Sequence, residues 1–347
     1  MTFKSLFYII PSVLLIGVSQ SCKTDFEINA PYDDIPVIYA ALDQSIDTQY
    51  VKINKTYLGD GNNTLYANIN DSILFPNLSA TIDEVKNGSV TNSYLLSEKW
   101  VKDIEPGLFN TDSQKVYYFV PNGGLDSSAT YKLTLNIDEG RKTATATTNL
   151  VEGFSFSQIF KQQLFAGVGF KNGNGNYSNM LIKWSTAKGA LLYELGLRFH
   201  FDEYYTDGSV ASKQLYWSFG VAESLSANGG EDLTKEVKGD GFYKFIQANL
   251  KDVDMTNINK RVVTKIVFNV AAAGEDLSTY ISVNLPSNSI VADRPNFSNI
   301  EGGLGVFSSR TNLILDEVTP GSPLLLNFIS QEELKNGQYT GTLKFQP

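Results

Sequence analysis

Three features of this 347-residue chain predict a mostly β fold of two tandem antiparallel β-sandwiches. From Pro36 onward, short runs rich in Val, Ile, Thr, Tyr and Phe alternate apolar and polar residues, as strands do when one face meets a core and the other water. Clusters of Gly, Asn, Asp and Ser punctuate these runs at turn spacing. One stretch, 241–253, instead carries the helical spacing of three and four.

Residues 37–42 read as a first strand. Residues 50–58 read as a second, with Val51, Ile53 and Tyr57 on one face and Lys52, Asn54 and Thr56 on the other. The breaker Gly59-Asp60-Gly61-Asn62-Asn63 follows. Strands at 78–86 and 89–97 flank Asn87-Gly88, whose tolerance of positive φ makes it the strongest hairpin signal in the chain. Residues 103–113, with Pro106, Gly107 and Asn110, lack a sheet period and read as a long loop before a compact strand at 116–120. Tyr131, Leu133, Leu135 and Ile137 alternate with Lys132, Thr134 and Asn136, and Glu139-Gly140-Arg141 turns the chain into a strand at 142–148. Residues 36–150 thus form an N-terminal domain of immunoglobulin-like size.

A C-terminal β-rich domain spans 151–347. Strands at 180–184 and 191–201 set Trp184 and Tyr193 as a core pair like that of a fibronectin type III sandwich, with Phe199 and Phe201 on one face and His200 on the other. An aromatic-rich strand follows at 214–221. Phe242, Phe245, Ile246, Leu250 and Val253 form one apolar stripe, so the helix at 241–253 packs over the sheet or closes an open end of the sandwich. Residues 262–270 alternate again. Residues 276–283 fit either a short helix opening at Asp276 as N-cap or a strand at 280–283, and period alone leaves both open. Strands at 313–315, 324–328 and 339–345 and one helical turn at 331–334 complete the domain.

Residues 1–21 have the shape of a bacterial secretion signal: Lys4, an apolar run at 6–18, then Ser19-Gln20-Ser21. The run is short and interrupted by Pro11 and Ser12, which disfavours a membrane span. Cys22, the single cysteine, comes next. Cleavage before it leaves an N-terminal cysteine able to carry acyl chains, each buried methylene of which contributes about 0.8 kcal/mol of membrane affinity. Ser19 and Gln20 depart from the residues favoured before a lipidated cysteine. The alternative is an ordinary signal peptide cut near Ser21, leaving Cys22 as a free thiol. Residues 22–35 lack a sustained apolar period and read as a tether.

Composition removes several function classes. Removing 1–21 takes out one lysine and no acid, so the formal charge moves from -9 to -10. No basic stripe interrupts this acidity, which excludes nucleic acid as a partner. One cysteine and one histidine cannot fill a zinc site of the Cys and His type. The Asn-rich turns at 60–63 and 172–176 lack the carboxylates of a calcium loop. His200 has no Gly-x-Ser-x-Gly elbow to serve, no phosphate-cradling loop occurs, and the acid pairs Asp83-Glu84 and Asp202-Glu203 are strand neighbours that point to opposite faces. No catalytic residue, metal or cofactor is therefore expected, and binding is favoured over catalysis. Tyr204 and Tyr205 beside Tyr216, Trp217 and Phe219 would bracket an aromatic platform for a glycan or apolar ligand if Asp207-Gly208 forms a hairpin turn. The competing reading divides alternate members of this set between core and surface.

The segment Asn299-Ile300-Glu301-Gly302-Gly303-Leu304-Gly305-Val306-Phe307 resembles the glycine-rich stretch near the C-terminus of a family of Bacteroidetes envelope lipoproteins, catalogued as a domain of unknown function (number 4249). Val37-Ile38-Tyr39-Ala40-Ala41-Leu42, Tyr131-Lys132-Leu133, Gly241-Phe242-Tyr243 and Arg261-Val262-Val263 resemble the family in the same order. The resemblance implies an outer-membrane lipoprotein associated with a TonB-dependent β-barrel transporter, without established catalytic residues. Gly302, Gly303 and Gly305 then form either a loop against which a partner or ligand packs or a bulge and turn inside the sheet. Lys23-Thr24-Asp25-Phe26-Glu27 resembles the acidic tract that sends such lipoproteins to the cell exterior, and Asp71-Ser72-Ile73 a short O-glycosylation motif that would modify Ser72. The expected protein is a surface-exposed, lipid-anchored binding protein accessory to TonB-dependent transport, holding a glycan or peptide; the alternative is a stand-alone carbohydrate-binding or adhesin module. Mass spectrometry of the mature N-terminus is expected to find acylated Cys22, and a free thiol there or a different N-terminus overturns the anchor.

Overall fold

The computed structural model describes residues 32–57, 69–102, 113–284 and 296–346. The signal segment, Cys22, most of the tether, the breaker at Asp60 and most of the loop at 103–113 lie outside these residues. The chain divides into Met1–Asp34 and a compact unit, Ile35–Pro347, which holds all of the described secondary structure.

The first half of that unit contains β1 (Pro36–Asp43), β2 (Gln49–Lys55), the one-turn α1 (Asn70–Ile73), β3 (Leu78–Lys86), β4 (Ser89–Leu95), β5 (Ser97–Lys102), β6 (Ser113–Phe119), β7 (Thr130–Ile137) and β8 (Lys142–Asn149). The second half contains α2 (Gln158–Gln163), β9 (Met180–Ser185), β10 (Ala190–Tyr205), β11 (Val210–Glu223), β12 (Asp232–Val237), α3 (Gly239–Leu250), β13 (Ile258–Gly274), α4 (Glu275–Asn284), β14 (Leu304–Leu315), β15 (Glu317–Thr319), β16 (Ser322–Pro323), α5 (Phe328–Asn336) and β17 (Phe345–Gln346). The fold is mostly β, as the alternation predicts.

One long sheet runs β11-β10-β13-β14-β1-β2-β6-β5, with β17 beside β13, and a second, four-stranded sheet runs β4-β3-β7-β8. Ile38, Val51, Ile53, Tyr117 and Phe119 of the long sheet face Ala80, Ile82, Leu133 and Leu135 of the second, and together they close an N-terminal core. Farther along the long sheet, Tyr193, Leu197, Phe199, Ile266 and Phe268 pack against β9, α2 and α3 in a separate C-terminal core. The boundary near residue 150 separates these cores in sequence, yet Ile300 and Phe307 belong to the first. β14 therefore contributes to both: Phe307 at one end, Leu315 at the other.

β14 joins the halves by lying parallel to β1, from Val37 opposite Leu304 to Asp43 opposite Arg310, and antiparallel to β13. Glu301 exchanges backbone hydrogen bonds with Thr145 of β8, so the glycine segment also touches the second sheet. Its glycines are required by space. A Cβ on Gly302 (φ +74°) would stand 2.5 Å from the Thr143 carbonyl oxygen, and one on Gly305 (φ +108°) only 2.0 Å from that of Ile38.

The expected hairpin at Asn87-Gly88 forms, with φ of 51° and 77°. The helix runs Gly239–Leu250 rather than 241–253; Phe242, Ile246 and Leu250 are buried, while Val253 lies beyond its end in solvent. It starts early because Gly239 fits against the carbonyl oxygens of Phe170 and Ser178, each 2.4 Å from where a Cβ would be. Residues 276–283 are helical within α4, with Asp276 inside the first turn instead of capping it. Two expected strands are absent. Leu324 and Leu326 are buried, but the chain turns at Asn327, whose Oδ1 accepts the Ser330 N–H and opens α5. Residues 339–343 close as hydrogen-bonded turns, leaving only Phe345–Gln346 to pair with β13. β5 and β12 arise without clear apolar alternation, since their ladder partners β6 and β9 supply the pairing.

Gly305→Ala is expected to lower the unfolding free energy by roughly 2–4 kcal/mol, since strain and collision combine. Gly88→Ala, with nothing near its Cβ position, should lose only the left-handed cost of about 1–2 kcal/mol. Urea denaturation of the two variants checks the order.

Candidate functional site

Among the described residues a cleft of about 750 Å³ opens where the two cores meet. Its walls come from the loop at Ser127–Ala129, the end of β8 with Thr147, Thr148 and Asn149, the crossover through Leu150 and Glu152, the turn at Lys188–Gly189, the loop at Ala227–Asn228, the start of α4 with Glu275 and Asp276, and Ser308 of β14. No aromatic side chain lines it. The volume suits a small ligand.

Local chemistry explains why these segments converge. Ser308 and Ser309, adjacent on β14, point to opposite faces. Ser309 Oγ donates to the Asn149 carbonyl oxygen at 2.7 Å and accepts the Val151 N–H at 3.0 Å, pinning the crossover between the halves. Ser308 Oγ accepts the Leu277 N–H at 3.2 Å, satisfying one of the donors left open at a helix start. Gly274 allows this approach, its Cβ position being 3.0 Å from Ser308 Oγ. Asn299, first residue of the glycine segment, donates through Nδ2 to Asp276 Oδ2 at 2.8 Å and to the Phe307 carbonyl oxygen at 2.7 Å. Lys188 pairs with Glu152 at 2.8 Å. The acids Glu275 and Asp276 sit in the first turn of α4, where the helix dipole favours negative charge.

The far side of α4 is held by Tyr280, whose hydroxyl lies 3.2 Å from that of Tyr39 on β1, the rings meeting edge to face at 5.8 Å. Burial, followed by this hydrogen bond, pushes the Tyr39 phenol up to about 12.

The aromatic residues picked out from sequence do not line the cleft. Asp207-Gly208 does turn the β10–β11 hairpin, with Gly208 at φ 87°. Trp217 faces the C-terminal core, stacked on Phe245 at 5.6 Å, whereas Tyr216 lies exposed on the opposite face above Gly196. Tyr216 shares that outer face with Tyr204, which pairs in register with Val210 at the far end of the hairpin and lies under Lys260. Tyr205 turns inward, its hydroxyl donating to Glu203 at 2.8 Å, beside an open hollow at the hairpin tip. Gly302, Gly303 and Gly305 sit at close backbone approaches, and Ser72 is half-buried on α1.

The acid pairs are committed elsewhere. Glu203 Oε1 accepts Nε and Nη2 of Arg261 at 2.9 and 2.7 Å, both residues buried, and Arg261 Nη1 also donates to the Leu343 carbonyl oxygen. Glu84 accepts from Thr91 and Tyr94 while Asp83 faces Ser93. His200 is pushed below its ordinary pKa by burial and by the nearby charges of Lys265 and Arg198. Asn172 Oδ1 accepts the N–H groups of Asn174 and Asn176, making that segment a turn. Among the described residues no three His, Cys, Asp or Glu side chains converge as metal ligands, and no helix is long and apolar enough to cross a membrane.

No family model and no curated protein matches the chain. Among solved structures it is similar to the C-terminal globular domain of oligosaccharyltransferase from Pyrococcus abyssi, at 12% identity and a TM-score of 0.28, over 69% of this chain and 47% of that one. The match therefore spans about half of that chain.

Sequence reasoning missed Thr148, Asn149, Glu275 and Ser308 as site residues, because the cleft joins positions more than 150 residues apart. The Asp276 signal was visible only as a helix start. Tyr39→Phe should lower stability by roughly 0.5 kcal/mol, the low end for a hydrogen bond because both rings touch water. A phenol raised in the folded state contributes fully below its ordinary pKa of 10.0, and the contribution fades as pH rises through about 12. Urea melts of both proteins between neutral and alkaline pH should converge in that window.

Proposed function

We propose that this protein is a lipid-anchored binding protein of the bacterial outer membrane, accessory to a TonB-dependent transport system. The observation that carries the binding reading is the cleft between the two cores, about 750 Å³ in volume and walled by hydroxyl, amide and carboxylate groups on strand ends and a helix start. Such a site holds a polar ligand by hydrogen bonds from a preorganised frame. The anchoring half of the proposal rests on residues 1–21 and Cys22, the transporter half on the resemblance of the glycine segment to an envelope lipoprotein family. The commitment of Glu203 to Arg261 and of Glu84 to Thr91 and Tyr94 favours binding over acid–base catalysis.

Affinity purification of the tagged full chain from detergent-solubilised outer membranes should recover a stoichiometric β-barrel partner. Cys22→Ala should release the protein from the membrane fraction. Recovery of the protein alone sinks the transporter association, and a Cys22→Ala protein that still sediments with membranes sinks the anchor.

A further inference from the structure

We infer that the cleft takes a neutral, hydroxyl-rich ligand of the size of a short oligosaccharide. This rests on the proposed reading as a binding protein and adds the class of ligand.

The walls decide the class by what they offer and what they lack. The Thr147 hydroxyl, the Asn228 amide and the carboxylates of Glu275 and Asp276 line one space and bring both donors and acceptors to it, while Ser128, whose hydroxyl donates to Asp126 at 2.6 Å, offers an acceptor. A sugar ring presents the complementary set, since each hydroxyl both donates and accepts, and one carboxylate can accept from two neighbouring hydroxyls. The wall residues include no aromatic ring, and Leu150 is their one large aliphatic side chain, so a lipid or aromatic ligand would find little surface to replace water.

Charge narrows the choice further. Three carboxylates face one lysine, and that lysine is engaged with Glu152 at 2.8 Å, which opposes phosphate, sulfate or acidic-sugar groups. A basic peptide would need strongly negative walls. Here Lys188 offsets Glu152, and the N-terminal end of α4 offsets Glu275 and Asp276, so these acids serve as hydrogen-bond acceptors more than as a cation trap. Asp276 is also held in place by Asn299, and α4 by Ser308, so the acceptors are oriented before a ligand arrives.

Titration calorimetry of the full chain with neutral trisaccharides of glucose, mannose and N-acetylglucosamine, with trilysine and with a sulfated trisaccharide tests the inference. At least one neutral trisaccharide should bind, with affinity nearly unchanged between about 50 and 500 mM salt. Asp276→Ala should weaken it about tenfold or more, Glu275→Gln only a few-fold, because the amide keeps an acceptor. Thr147→Trp, at an exposed strand position, should block the cleft and abolish binding without a change in thermal midpoint. Binding of trilysine alone, falling steeply with salt and lost in Glu275→Gln, overturns the inference, as does binding of the sulfated sugar alone or of none of the neutral sugars. A barrel partner recovered from membranes alongside any of these negative results leaves the envelope reading standing and discards only the ligand class.

Discussion

The parallel contact between β1 and β14 is the constraint on which the rest of this molecule depends. It brings residues 37–43 beside 304–310, almost the full length of the chain apart, and so makes one sheet serve two cores. Pairing so distant in sequence carries a loop-closure cost that local hairpins avoid, and it is offset only when the joined surfaces bury enough apolar area. Phe307 and Ile300 supply that burial on one side and Leu315 on the other. The approach is so close that Gly305 faces the Ile38 carbonyl with no room for a side chain.

The cleft is a by-product of that junction. Because β14 carries Ser308 and Ser309 on opposite faces, one strand both fixes the start of α4 and pins the crossover at 149–151. Asn299 then ties the glycine segment to Asp276. The same residues that close the sheet therefore shape the concavity, and a ligand there would touch segments from both halves. Elsewhere the fold uses polar groups for closure alone. Arg261 and Glu203, fully desolvated between β13 and β10, hold the C-terminal turn through the Leu343 carbonyl, with the Phe201 and Phe345 rings 5.9 Å from the guanidinium. Removing one partner of such a pair leaves an unpaired buried charge, a cost of about 3–5 kcal/mol.

Much of the fold was legible because it is local. Alternation located β1, β2, β3, β7 and β10, and Asn87-Gly88 located a turn, since side-chain direction and positive φ are properties of one or two residues. Trp184 and Tyr193 form their expected core contact at 6.1 Å. The failures have a common cause. Residues 324–328 look like a strand by composition, but the Asn327 side chain caps α5 and ends any ladder. Residues 97–102 lack a strand pattern, yet β6 offers a partner and a strand forms. The sequence leaves the aromatic set at 204–219 open between one platform and a division between core and surface. Trp217 lies inward and Tyr216 outward, as the division requires of adjacent strand residues.

By itself, the sequence determined the fold class and the position of the helix at 239–250 within two or three residues at each end, because periodicity needs no partner to be read. Only the tertiary structure decided which strands neighbour one another, why Gly305 cannot carry a side chain, and that Thr148, Asp276 and Ser308 share one cleft. Those depend on the closure of β14 against β1, a contact between segments some 270 residues apart. No local pattern encodes it, because the free energy that selects it comes from two cores that exist only once the strands have met.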